Sequence, residues 1–426
     1  MMKKIIHSEF FKNVLALMGG TLIAQMISMA SSPIVTRIFT PENFGLLALF
    51  ATSVGIISRV GALCYERAIV LPNNNKDAIS VFFLSVAILL FTTSIILTLV
   101  VCFNSDIADS LGNTEFSFWL WFVPGGILLA GIVNIMSYWR SRDKEFKQIG
   151  YARINEAAVS ALTKISLGLL IGAYSGGLII GMILGSLVSF LWLFCNPTIF
   201  QVSKHLREVS KTAIKNMAVT YKQFPQFAAV NALLLDLSKN LVVFMFSVFF
   251  SPVVVGFYSL GNRVLNQPVN LVSTSVQRVY FQKCAEDLNR GVNLIPGLKK
   301  TIFVLFLIGL LPFGVIAIFG GELFGMIFGQ NWETAGSYVQ ILSPWFFCFF
   351  TASPAHVIFE VSQNQGIKLI LSVSRAVTVS ISIVVGCLLS SGPVIVLILF
   401  AGVNILFEVI TISLAFFLAN NSYAKH

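Results

Sequence analysis

The chain has 426 residues, of which 56% are hydrophobic and only 11% charged, and its mean hydropathy is +0.86. Water-soluble domains carry about 25% charged residues, so this composition belongs to a polytopic membrane protein. The formal charge of +10 would suit a nucleic-acid partner, but its placement excludes that reading.

A spanning helix needs roughly 20 mainly apolar residues. Twelve runs qualify: Asn13–Ile34, Phe44–Val70, Ile79–Phe103, Phe116–Trp139, Ala152–Ala173, Gly177–Phe200, Gln223–Phe250, Val253–Phe281, Thr301–Gly320, Ala335–Phe359, Ile367–Leu389 and Pro393–Leu418. The first run lacks a small-residue cleavage site and is followed by eleven more, so it reads as a span rather than a signal peptide. Every second gap is basic. Lys3, Lys4 and Lys12 precede span 1; Arg140, Arg142, Lys144 and Lys147 follow span 4. Lys204, Arg207, Lys211, Lys215 and Lys222 follow span 6, and Lys283, Arg290, Lys299 and Lys300 follow span 8. The opposite gaps hold Arg37 together with Asp106, Asp109, Glu115, Glu322 and Glu333. Lys and Arg concentrate in cytoplasmic loops, so both termini are expected in the cytoplasm.

The gap at Gln201–Lys222 divides the spans into two sets of six, with expected domains at 1–205 and 206–426. An internal repeat agrees with this division. Thr40-Pro41-Glu42-Asn43-Phe44-Gly45 joins spans 1 and 2, and Ser251-Pro252-Val253-Val254-Val255-Gly256 joins spans 7 and 8. In each, Ser or Thr suits a helix N-cap and Pro the first helical position. The expected fold is therefore all-α, with about twelve spans in two pseudo-symmetric six-helix lobes around a central cavity. Repeat interfaces in transporters commonly hold the substrate near the midplane.

Ionisable residues inside spans are costly and face the bundle interior or a hydrated cavity. Arg59, Lys164, Asp236, Lys239, Arg263, Arg375 and Glu408 lie deep. Polar neighbours recur at helical spacing around several of them. Span 2 has Thr52, Gly55, Arg59 and Glu66, and span 5 has Arg153, Glu156, Ser160 and Lys164. Span 8 carries Asn262, Arg263, Asn266, Asn270 and Thr274 on one face. Structural readings stand beside the functional one. Asp236 and Lys239 are spaced to neutralise each other, Glu66 beside Arg67 to snorkel to the boundary, and Arg375 to pair with Glu408. A cavity with excess basic groups favours an anionic passenger, because Arg pairs bidentately with phosphate and Lys acts as a point charge. Prolines 124, 268, 312, 344 and 354 fall within spans and are candidate kinks.

No GxxxxGK[ST] loop, HExxH, GxSxG or DxD pair occurs, and no long external loop could house a catalytic site. A non-enzymatic protein is expected, with no cofactor or metal. The six cysteines (64, 102, 195, 284, 348 and 387) are scattered and read as buried apolar thiols. The glycines from Gly176 to Gly185 read as helix packing.

Four stretches carry a family resemblance. They are Ser32-Pro33-Ile34-Val35-Thr36-Arg37-Ile38-Phe39-Thr40-Pro41-Glu42-Asn43-Phe44-Gly45; Tyr65-Glu66-Arg67 running to Pro72; Arg263-Val264-Leu265 with Pro268; and Phe328-Gly329-Gln330-Asn331-Trp332-Glu333-Thr334-Ala335-Gly336. In order and spacing they resemble the polysaccharide-transport branch of the MOP superfamily, the Wzx-type O-antigen flippases. The resemblance spans about residues 12–415. It implies alternating access and transport of an undecaprenyl-diphosphate-linked oligosaccharide across the bacterial inner membrane, with glycan-polymerising and chain-length enzymes as partners. On that basis Arg59, Lys164, Lys239 and Arg263 are expected to attract the diphosphate, and Asn266 and Asn270 to bind glycan hydroxyls. Asp236 or Glu408 would carry a coupling proton or sodium ion. Two alternatives remain open: a MATE-type multidrug exporter of the same architecture, and an integral membrane polymerase or ligase.

Overall fold

The computed structural model describes residues 9–195, 210–290, 292–362, 364–389 and 392–424; the expected lobe boundary at 205/206 lies outside them. Among these residues there is no strand. Twelve long helices follow in order: α1 Glu9–Ile38, α2 Pro41–Val60, α3 Asn75–Ser110, α4 Val123–Arg142, α5 Phe146–Ile171, α6 Ser175–Phe194, α7 Val230–Phe249, α8 Pro252–Asn289, α9 Leu294–Phe328, α10 Glu333–Val361, α11 Gln365–Leu388 and α12 Pro393–Ala424. Ten of these segments are long and apolar enough to cross a membrane, α4 and α8 being the two below that measure. In α8 the polar stripe that includes Asn262, Arg263, Asn266 and Asn270 dilutes the apolar residues. Side chains such as Leu170 (82% exposed) and Leu311 (75%) face outward, a surface that requires hydrocarbon rather than water.

The two Ser/Thr-Pro turns form as the sequence implies. Thr40 Oγ1 accepts the Asn43 N–H at 3.4 Å and Ser251 Oγ accepts the Val254 N–H at 3.4 Å, each with Pro opening the helix. Two expected spans are shorter than predicted. Span 2 does not continue to Val70: α2 ends at Val60, and Leu63 and Cys64 take left-handed backbone angles (φ 51° and 60°) before a 3-10 turn over Tyr65–Val70. Span 4 breaks into a short helix, Phe116–Leu120, and α4, because Pro124 sits at the start of α4. Proline lacks the N–H that would continue the preceding ladder. By contrast Pro268, Pro312, Pro344 and Pro354 lie inside continuous helices.

The chain forms two compact units, Met1–Leu237 and Ser238–His426, so the division falls within α7. In the first unit α1 packs on α5, α5 on α6, and α2 and α3 on α4. Close contacts use glycine. A Cβ on Gly20 would lie 2.3 Å from the Gly150 Cα, and one on Gly131 2.5 Å from Leu89. The core around Leu46, Leu49, Phe50 and Ile127 is fully buried. Two basic residues that mark the topology are also structural. Buried Arg140 donates to the Leu193 carbonyl and to Glu145, both at 2.5 Å. Arg142 donates to the Ile69 and Pro72 carbonyls at 3.2 and 2.5 Å, closing the end of the 3-10 turn. In the second unit α10 is central, packed by α8, α9 and α12, with α11 on α12. A Cβ on Gly336 would come within 2.2 Å of the Gly320 carbonyl oxygen, so α9 and α10 meet backbone to backbone there.

Candidate functional site

Arg59 lies in the last turn of α2, placed by a helix that Thr40 and Pro41 start. Its partner comes from α7, 177 residues further on: Arg59 Nη1 donates to both carboxylate oxygens of Asp236, at 2.9 and 3.1 Å. Asp236 therefore pairs with Arg59 and not, as its spacing implied, with Lys239. Lys239 is exposed and makes no ion pair among the described residues. The Arg59 side chain remains 58% exposed and that of Asp236 10% exposed. Among the described residues, the pair with Asp236 uses only Nη1, leaving Nε and Nη2 without hydrogen-bond partners. A guanidinium has five N–H donors in a planar fork, so the one here keeps the edge that bidentate anion binding needs.

The polar stripe of α5 is spent largely on neighbouring helices. Arg153 donates to Thr21 Oγ1 of α1 at 2.5 Å, and Glu156 accepts from Ser186 of α6 at 3.3 Å. Lys164, half-buried, runs across Gly181 of α6, where a Cβ would approach its Cγ to 2.6 Å. Gly181 is thus the gap that admits the lysine stem. Gly185 similarly faces the Glu156 carbonyl, at 2.8 Å from its notional Cβ.

On α8, Arg263 and Asn266 are half-buried and Asn270 is exposed. Asn270 donates its side-chain N–H to Asn266 Oδ1, one turn earlier. Thr274 Oγ1 donates to the Asn270 carbonyl at 2.8 Å. The two asparagines thus form a linked amide pair with donors and acceptors to spare.

Glu408 is 0% exposed and held from two helices. Arg375 Nη1 of α11 donates to its Oε1 at 2.7 Å, the pairing the sequence allowed. The other two Arg375 nitrogens are engaged too: Nε and Nη2 reach Asn404 Oδ1 at 3.0 and 2.8 Å. His356 of α10 completes the group, with Nε2 at 3.2 Å from Glu408 Oε2. Sequence reasoning overlooked His356. The available signal was a titratable side chain inside an apolar helix.

Glu66 does not snorkel. It is 1% exposed in the 3-10 turn beyond α2, and Asn134 Nδ2 donates to its Oε1 at 3.4 Å. Its Oε2 is buried without a hydrogen-bond partner among the described residues. Burial pushes this carboxyl above the ordinary range, against the pull of Arg67. All six cysteines are free, but Cys102 and Cys195 are exposed on the protein surface rather than buried. The described residues contain no cluster of metal-ligating side chains.

A family model described as "Polysaccharide biosynthesis protein" matches residues 34–337. The chain belongs to this family. No curated protein matches it. Solved structures share its fold at low identity. An inward-facing multidrug resistance MATE family transporter of the MOP superfamily matches with TM-score 0.74 and 14% identity, over 93% of this chain and 95% of that one. The lipid II flippase MurJ, inward closed, matches at 0.67 and 14%, over 95% and 90%. An outward-facing MATE transporter matches at 0.57 and 13%, over 96% of each chain. The family member is thus a multi-pass membrane protein of the MOP-superfamily fold, as its hinge and turn motifs implied.

Proposed function

We propose that the protein flips an undecaprenyl-diphosphate-linked oligosaccharide, an O-antigen or related repeat unit, from the cytoplasmic to the periplasmic leaflet by alternating access. In this reading it sits in the bacterial inner membrane with both termini in the cytoplasm. It acts beside the enzymes that polymerise the glycan and set its chain length. The family assignment supports a role in polysaccharide synthesis. The observation that carries the reading is Arg59, a guanidinium on a spanning helix that stays more than half exposed and, among the described residues, keeps two nitrogens unused.

An ionisable side chain within a spanning helix is costly to keep in the membrane. Such a cost is retained where a ligand uses the charge. A diphosphate offers oxygens to Nε and Nη2 without first displacing Asp236. Lys164, in the same unit as Arg59, adds a point charge. Asn266 and Asn270 hydrogen-bond sugar hydroxyls. The cation-exporter alternative needs available acids, whereas Asp236 and Glu408 already hold guanidinium groups.

The test is Arg59→Ala in a deletion strain, at matched abundance in the membrane. Surface polymer is expected to fall about a hundredfold, the scale of losing bidentate phosphate binding. Undiminished polymer at equal abundance contradicts the role.

A further inference from the structure

We infer that His356, rather than either carboxylate, is the group that takes and releases a coupling proton in the second unit. The inference rests on the transporter reading above, but its primary test does not. Both acids expected to carry an ion are engaged by arginine: Asp236 by Arg59 at 2.9 Å and Glu408 by Arg375 at 2.7 Å. Each carboxylate is already the acceptor of a charge-assisted bond, which an incoming proton would have to displace. Imidazole is the side chain whose charge ordinarily changes near neutral pH.

The geometry assigns the proton to a particular atom. With the ring neutral, its Nε2–H donates to Glu408 Oε2 at 3.2 Å. Nδ1 then carries the lone pair, makes no hydrogen bond among the described residues, and belongs to a side chain 21% exposed. A hydronium or water from the aqueous phase supplies a proton to Nδ1. The ring becomes imidazolium, and Nε2–H to Oε2 becomes a charge-assisted bond. No other bond breaks, and release is the reverse.

Proton uptake changes the charge of the trio Arg375, Glu408 and His356 from zero to plus one. A neutral trio suits burial among α10, α11 and α12, whereas a net charge favours an arrangement open to water. Charge is thereby converted into a bias between two packings. The groups facing His356 can be named. Arg375 comes from α11 and Glu408 from α12; on α10 itself the titratable groups are Cys348 and, one turn after His356, Glu360, which is ion-paired with Lys368 of α11 at 2.6 Å. The Phe349 ring lies 6.2 Å away. From α8 and α9, also packed on α10, no charged side chain contacts His356 among the described residues.

The chain has four histidines, at 7, 205, 356 and 426. Replacing His7, His205 and His426 by Gln leaves one imidazole for 15N NMR of the full-length protein in lipid nanodiscs. Both the neutral and the protonated ring are expected to appear across about pH 5 to 8, the range in which imidazole ordinarily changes charge. Glu408→Gln is expected to displace that transition by about one pH unit or more, because it removes the adjacent anion. A ring that keeps one protonation state throughout, or is unaffected by Glu408→Gln, overturns the inference. The second readout is translocation of the cell's own lipid-linked intermediates in everted membrane vesicles under an imposed pH gradient. His356→Gln, at matched abundance, is expected to flatten the pH profile and to lose about tenfold of the gradient-driven rate. An unchanged profile, or one flattened instead by Glu66→Gln or Glu156→Gln, overturns it. Wild-type vesicles that move no intermediate while His356 titrates as expected would sink the flippase reading and leave the proton site standing.

Discussion

Two arginine–carboxylate pairs occupy spanning helices, one in each compact unit, and they are built oppositely. Arg375 spends Nε, Nη1 and Nη2 on Glu408 and Asn404, and its acid partner is completely buried. Arg59 spends one nitrogen on Asp236 and leaves more than half of its side chain exposed. A buried pair whose guanidinium is engaged at every nitrogen holds helices together. An exposed pair with donors in reserve can accept a ligand. The residue types alone would not separate these roles; the hydrogen-bond inventory does.

The sharpest way to break this contrast is to remove each arginine's neighbour or replace the arginine itself. Arg375→Ala strands a fully buried carboxylate, which costs about 3–5 kcal/mol for a broken buried pair. A large loss of membrane abundance and a lower melting temperature in detergent are expected. Normal melting would show that α11 and α12 do not depend on the pair. Gly336→Val drives a side chain into the Gly320 carbonyl. Overpacking of this kind costs about 1–3 kcal/mol, readable as a lower melting temperature, and an unchanged value would refute the backbone contact. Asp236→Asn leaves a mostly exposed guanidinium, so about 0–1 kcal/mol is expected and abundance should hold. A collapse in abundance would make the Arg59 pair structural after all.

Glu66 adds a pH dependence with a defined sign. Its carboxyl is raised in the folded protein by burial, so the folded state binds the proton more tightly than the unfolded chain does. Stability is then greatest below the ordinary carboxylate range and declines as pH rises through that range to the raised folded value. Glu66→Gln should flatten this decline in melting temperature against pH, and an equally steep decline in the variant would refute it. The smallest effect is expected from Lys239→Ala. The residue is exposed and makes no ion pair among the described residues, so stability should change by under about 0.5 kcal/mol; a marked fall in melting temperature would reveal a hidden structural role.

Much of the fold was legible because membrane spans are written in long apolar runs and alternating loop charge. The two Ser/Thr-Pro turns were readable because the cap and the proline each leave a local signature. Where the expectation failed, the cause was local backbone or distant pairing. α2 stops at Val60 because Leu63 and Cys64 adopt left-handed angles, a conformation that Gly or Asn would have announced and these residues do not. The Arg375–Glu408 pair follows from two adjacent spans of an antiparallel hairpin. The Arg59–Asp236 pair joins residues 177 apart, and helical spacing pointed instead to the neighbour three residues on. The unused nitrogens of Arg59 could be recognised only once its partner was located.

The most direct measurement is on a deletion strain: surface polysaccharide together with the leaflet location of extracted undecaprenyl-linked intermediates, with no second flippase present. The account predicts lost polymer and complete repeat units accumulating on the cytoplasmic leaflet, reversed by the wild-type gene. Unchanged polymer without accumulation would contradict it.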